Sequence, residues 1–107
     1  MNPWVSLLLA GAFEVGFTTF MKLSEGFTKW IFVGFFLISA SASFTFLAQA
    51  MKSIPLGTAY AIWTGIGAFG TALVGMLFFK DPVSMGRVLF LLLLVISIVG
   101  LKLVSAQ

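Results

Sequence analysis

The chain has 107 residues, about one small domain, of which 61% are hydrophobic and only 8% charged. A soluble domain is about 45–50% apolar and about 25% charged, so the composition, with a mean hydropathy of +1.17, excludes a soluble fold and places the chain in a bilayer. The net charge of +3 comes from six dispersed bases that form no nucleic-acid patch, and the lack of Cys and His excludes disulfides, Cys/His metal centres and Ser–His–Asp chemistry.

A membrane-spanning helix needs about 20 mostly apolar residues. The first such block runs from Trp4 to Met21. Its charge follows the apolar run instead of preceding it, and it holds a carboxylate at its centre. Both features favour a retained helix over a signal peptide. That carboxylate, Glu14, lies where an acid costs about 2.5–3.5 kcal/mol on insertion scales and normally marks an ion or substrate pathway. A bland alternative is a protonated residue that glues two helices together. Helical spacing puts Leu7, Gly11, Glu14 and Thr18 on one face. Gly11 permits either close helix approach or room for a ligand, and Thr18 adds a hydroxyl.

After the joint Lys22–Lys29 comes a second block, Trp30 to Met51, whose Ser39, Ser43, Phe46 and Ala50 form a stripe able to line a cavity. The joint Lys52-Ser-Ile-Pro-Leu-Gly57 leads to a third block, Thr58 to Phe79. There Tyr60, Trp63 and Gly67 share a face. Aromatic rings beside an acid suit an organic cation, which ring faces attract by about 0.5–2 kcal/mol. Gly65, Gly67 and Gly70 offer either a hinge or a contact face of small residues. Lys80-Asp-Pro82 then leads to a fourth block, Met85 to Val104. Glu25 and Asp81, both in joints, read as ordinary loop acids.

The expected fold is all-α, one integral membrane domain over residues 1–107 built as a four-helix bundle. Alternate joints share a side, which sets four bases (Lys22, Lys29, Lys80, Arg87) against two (Lys52, Lys102). So small a bias gives weak control over topology and allows insertion in both orientations. Four helices also leave little room to surround a substrate path, so an oligomer contributing one Glu14 per chain is expected. The functional expectation is cation binding in competition with a proton at Glu14. A regulatory or assembly subunit is the rival from another class, and an enzyme is disfavoured by the lone acid.

The stretches Gly11-Ala-Phe-Glu14, Met21-Lys22-Leu-Ser-Glu-Gly-Phe-Thr28 and Pro55-Leu-Gly-Thr-Ala-Tyr-Ala-Ile-Trp-Thr-Gly-Ile-Gly67 resemble the small multidrug resistance family. The resemblance covers essentially the whole chain. It implies an antiparallel, dual-topology dimer in the bacterial inner membrane, either a homodimer or a pair with a sister chain, that exchanges protons for small organic cations by alternating access without a cofactor. It assigns Glu14 to proton or cation binding, Tyr60 and Trp63 to the site lining, Ser43 to a hydrogen bond near Glu14, and Gly65–Gly67 to a kink. The fourth helix would hold the dimer together, with Ser97 and Gly100 its main small residues. Gly11, the Ala61–Gly67 run and Gly100-Leu-Lys102 look like the guanidinium-exporter branch. That branch carries Trp where this chain has Phe17, and the Phe17-Thr18-Thr19 and Met21–Thr28 segments look closer to the multidrug branch. The resemblance leans to export of quaternary ammonium and other lipophilic cations, with guanidinium compounds as the alternative.

Overall fold

The computed structural model describes residues 2–105 as four helices: α1 (Pro3–Leu23), α2 (Trp30–Ala50), α3 (Leu56–Phe78) and α4 (Met85–Val104). Each is long and apolar enough to cross a membrane, and no strand occurs among the described residues. The architecture is all-α.

Local chemistry sets the ends. The Asn2 side chain accepts the Trp4 N–H at 2.8 Å, and Pro3 occupies the first helical position, where its missing N–H costs nothing. α1 runs on past the apolar block through Lys22, whose long stem can carry its charge towards water. It stops at Ser24. The buried Ser24 hydroxyl donates to the Met21 carbonyl at 2.7 Å and accepts the Phe27 N–H at 3.0 Å. Glu25, Gly26 and Phe27 follow with φ of 49°, 75° and 66°, a left-handed run that reverses the chain. Pro55 caps α3, which therefore begins before Thr58, at Leu56. At its far end, Phe79 and Asp81 both donate their N–H to the Gly75 carbonyl at 3.0 Å. Lys80, at φ 59°, makes that closing turn.

α1 is the central helix. α2 runs antiparallel along it, pairing Ala10 with Ser43, Gly16 with Ser39 and Phe20 with Phe35. α3 runs parallel to it, pairing Glu14 with Gly67, Val15 with Gly70 and Thr18 with Thr71. The tightest burial lies at the end formed by the start of α1, the end of α2 and the start of α3, around Leu7, Ala10, Leu47, Ala50, Ile54 and Ile62. The opposite end is held by aromatic contacts such as Phe17–Phe36, Phe20–Phe35 and Phe27–Phe36. Glu14 sits where the compact end gives way to the aromatic one.

α4 stands apart. It packs on α3, where Leu94 and Ile98 fill the space over Gly65, and it buries none of its own residues. One further tie is the Lys102 ammonium, 5.3 Å from the centre of the Trp4 ring. The molecule is a flat slab of 45 × 34 × 18 Å, with a largely uncovered apolar helix at one edge.

Candidate functional site

The Glu14 carboxyl lies in the α1–α3 interface, against the bare Cα of Gly67. A Cβ at position 67 would overlap the carboxyl carbon, one of its oxygens and Cγ. Gly67 is therefore the seat of the acid. Glu14 Oε1 is buried without a hydrogen-bond partner. A buried acceptor left unpaired costs about 1–3 kcal/mol, and more if charged, so this oxygen calls for a proton or an outside cation. No basic side chain supplies one: the ion pair found among the described residues is Lys29–Glu25, 3.3 Å apart in the first joint.

The other sequence-derived residues fall around this seat in distinct roles. Gly11 is buried and admits α3, since a Cβ there would collide with Ile66. The Ser43 hydroxyl donates to the Ala10 carbonyl at 2.6 Å and accepts the Trp63 Nε1–H at 3.0 Å. That carbonyl is also the helical acceptor for the Glu14 backbone N–H. Ser43 thus ties the Trp63 indole to the helical turn that carries Glu14, and its bond goes to backbone and not to the carboxyl. The rings of Phe36, Phe17, Phe44, Trp63 and Tyr60 form a chain with centroids 5.6–5.9 Å apart. It links Phe17 to Trp63 through Phe44. Trp63 is 8% exposed, whereas Tyr60 is 55% exposed, so the aromatic face opens outward from the protomer.

Thr18 turns its hydroxyl to other work. Its Oγ1 lies 3.0 Å from the Glu14 and Val15 carbonyls and 2.7 Å from Thr71 Oγ1, which pins α1 to α3 one turn beyond the acid. Gly65 and Gly67 both lie within the unbroken helix α3, and each receives a neighbouring side chain, Ile98 at Gly65 and Glu14 at Gly67. Sequence reasoning missed Thr71, Phe44 and the Ala10 carbonyl. Thr71 was findable, because it lies one turn after Gly67 on the same face. A backbone carbonyl leaves no mark in sequence.

Comparison with known proteins fits this arrangement. A family profile described as Small Multidrug Resistance protein matches residues 2–94. A protein of Yersinia pestis named "Guanidinium exporter" is 45% identical over 102 residues, covering 95% of this chain and 98% of that protein. A Bacillus subtilis protein named "Probable guanidinium efflux system subunit GdnD" is 42% identical over 107 residues, covering 98% of this chain and all of the relative. A "Guanidinium exporter" of Proteus vulgaris is 44% identical over 103 residues, covering 95% and 98%. These relatives are named as exporters or efflux subunits and not as enzymes. With its membrane-length helices and a profile match along most of its length, the chain belongs to the small multidrug resistance family, as a multi-pass protein of the bacterial inner membrane.

Proposed function

We propose that the chain exports guanidinium or guanidinyl cations in exchange for protons, by alternating access around Glu14. The observation that carries this reading is the unpaired, buried Glu14 Oε1 on its glycine seat. An ionised carboxyl there accepts two parallel N–H bonds from a planar guanidinium, the strongest geometry for such a pair. A protonated carboxyl offers no such partner. Proton and cation therefore exclude one another at one atom group, and the gradient sets the direction of exchange. Trp63, held by Ser43, lies one helical turn before the Gly67 seat, and Tyr60 adds an exposed ring.

The names of the relatives favour guanidinium over the quaternary ammonium compounds to which the sequence motifs lean. One observation still speaks for lipophilic cations. Phe17, about one turn after Glu14 on α1 and packed on Phe36 and Phe44, is a hydrocarbon ring with no N–H donor.

A second chain completes the site. Tyr60 and the uncovered α4 both face outward, so we take the working unit as an antiparallel dimer joined along α4. The word "subunit" in the Bacillus subtilis name makes a sister chain a candidate partner beside a second copy. The test is the purified chain, reconstituted alone and challenged with guanidinium, tetraethylammonium and aromatic ammonium ions while proton release is followed. Release driven best by guanidinium supports this reading. Release only by the bulkier ions returns the assignment to lipophilic cations. No release unless a sister chain is added makes this chain one half of a heterodimer, and none even then refutes the reading.

A further inference from the structure

Past the Thr18–Thr71 bond α1 and α3 part again. A cavity of about 190 Å³ opens there, lined by the polar side chains of Thr18, Thr19, Lys22, Thr71 and Asp81 together with Val74, Gly75 and Phe79. Its outer end reaches Lys22, a little over two helical turns or about 12 Å along α1 from Glu14. The turn that ends α3 folds Asp81 back over its own helix, and the carboxylate settles on the bare Cα of Gly75, where a Cβ would overlap it. A second acid therefore rests on a second glycine seat, on the same helix and in the cavity beyond the Thr18–Thr71 pair.

The Thr18 and Thr19 hydroxyls of this cavity bond back to their own helix. Thr19 donates to the Val15 carbonyl at 2.7 Å, and Thr18 donates into the carbonyls of Glu14 and Val15. With its proton turned towards the helix, Thr19 offers lone pairs to the cavity, while the Thr18 and Thr71 hydroxyls bond one another at its inner end. Acceptors and a carboxylate match a cation rich in N–H donors. A tetraalkylammonium, which has none, can use only the Asp81 charge and the Phe79 ring there. Lys22 lines the same cavity, yet no Lys22–Asp81 ion pair within 4.0 Å forms among the described residues. Its ammonium is exposed on a flexible stem and is free to occupy the cavity or to leave it.

We propose that this cavity is a second station for guanidinium-type cations, in which Asp81 is the counter-charge and the Lys22 ammonium, on its flexible stem, a competitor for it. It lies between loop-side water and the Thr18–Thr71 pair, and it holds a cation on the far side of that pair from Glu14 while that carboxyl carries a proton. The choice of ligand rests on the export reading above; the site itself rests on the cavity.

The test uses the full chain in lipid nanodiscs with Glu14→Gln, which removes the inner site. Guanidinium, added as its chloride well below denaturing concentration, is titrated while backbone amide resonances are followed. Saturable shifts at Thr71, Gly75 and Asp81 are expected. Adding Asp81→Asn should weaken that binding at least about tenfold, while Lys22→Met should tighten it several-fold. Tetraethylammonium should bind there several-fold more weakly than guanidinium, and Glu25→Gln, a carboxylate in the first joint outside the cavity, should not change the titration. Absence of saturable shifts, or equal affinity with and without the Asp81 carboxylate, overturns the proposal. Because Glu14 is already replaced, either failure leaves the exchange reading at Glu14 intact. That reading fails separately if the unaltered protein, alone or with a sister chain, releases no protons on cation addition.

Discussion

Gly67→Ala separates the function of the carboxyl seat from the stability of the fold. Replacing a helical glycine by alanine contributes about 0.8–1.0 kcal/mol in helix propensity. The new Cβ would overlap the Glu14 carboxyl, which is the far end of a flexible side chain. Glu14 can swing aside, at about 0.5–1.5 kcal/mol for an off-rotamer position. The two effects nearly cancel, so the variant should stay folded within about 1 kcal/mol of the parent. Its carboxyl, however, is driven out of the α1–α3 interface, and cation-driven proton release should fall at least about tenfold. Gly11→Ala provides the contrast. The neighbour there is Ile66, whose Cβ would lie 2.8 Å from the new atom and is fixed to the α3 backbone. Overpacking against a rigid neighbour costs about 1–3 kcal/mol, so this variant should lose stability first. Denaturant unfolding in lipid nanodiscs measures stability, and proton release from reconstituted protein measures function. Normal proton release in Gly67→Ala would refute the seat. So would a loss of folding as large as that of Gly11→Ala.

Further substitutions probe the surroundings of the acid. Trp63→Phe keeps an aromatic face but removes the hydrogen bond to Ser43, worth about 0.5–1.5 kcal/mol, and should raise the guanidinium KM modestly. Ser43→Ala should cost more stability, because it leaves the buried Trp63 N–H unpaired, at about 1–3 kcal/mol; denaturation midpoints rank the two variants. Phe17→Trp puts an N–H donor in place of the hydrocarbon ring and should shift the transport ratio towards guanidinium and away from tetraethylammonium; an unchanged ratio in a competition assay would show that Phe17 does not set selectivity.

Much of this molecule was legible before its structure, and particular residues show why. The four spans were readable because a bilayer demands about 20 apolar residues per helix, and the charged or Pro/Gly joints interrupt them. Glu14 stood out for the same reason, as the acid far from any helix end. Facing partners were harder. Sequence periodicity puts Gly67 on a stripe with Trp63, but it does not say that the Glu14 side chain fills the space the glycine leaves. Gly65 and Gly67 look alike in sequence, yet one receives Ile98 from α4 and the other Glu14 from α1. The outlying position of α4 was also hidden. In a membrane every face of a helix can be apolar, so hydrophobicity no longer marks the buried side. Asp81 reads as an ordinary loop acid until the turn at Lys80 brings it back over Gly75.

The central claim is that proton and cation compete for the Glu14 carboxyl, and paired flux measurements test it directly. In vesicles holding the unaltered protein, guanidinium should move against a proton gradient. Its apparent affinity should weaken by about tenfold per pH unit as pH falls through the titration of that carboxyl, for one-for-one exchange. Above that range the affinity should level off, because the carboxyl is already ionised. Glu14→Gln should abolish both proton-driven flux and pH-dependent binding at the inner site while leaving the protein folded. Proton-coupled guanidinium flux that persists in Glu14→Gln would contradict the account.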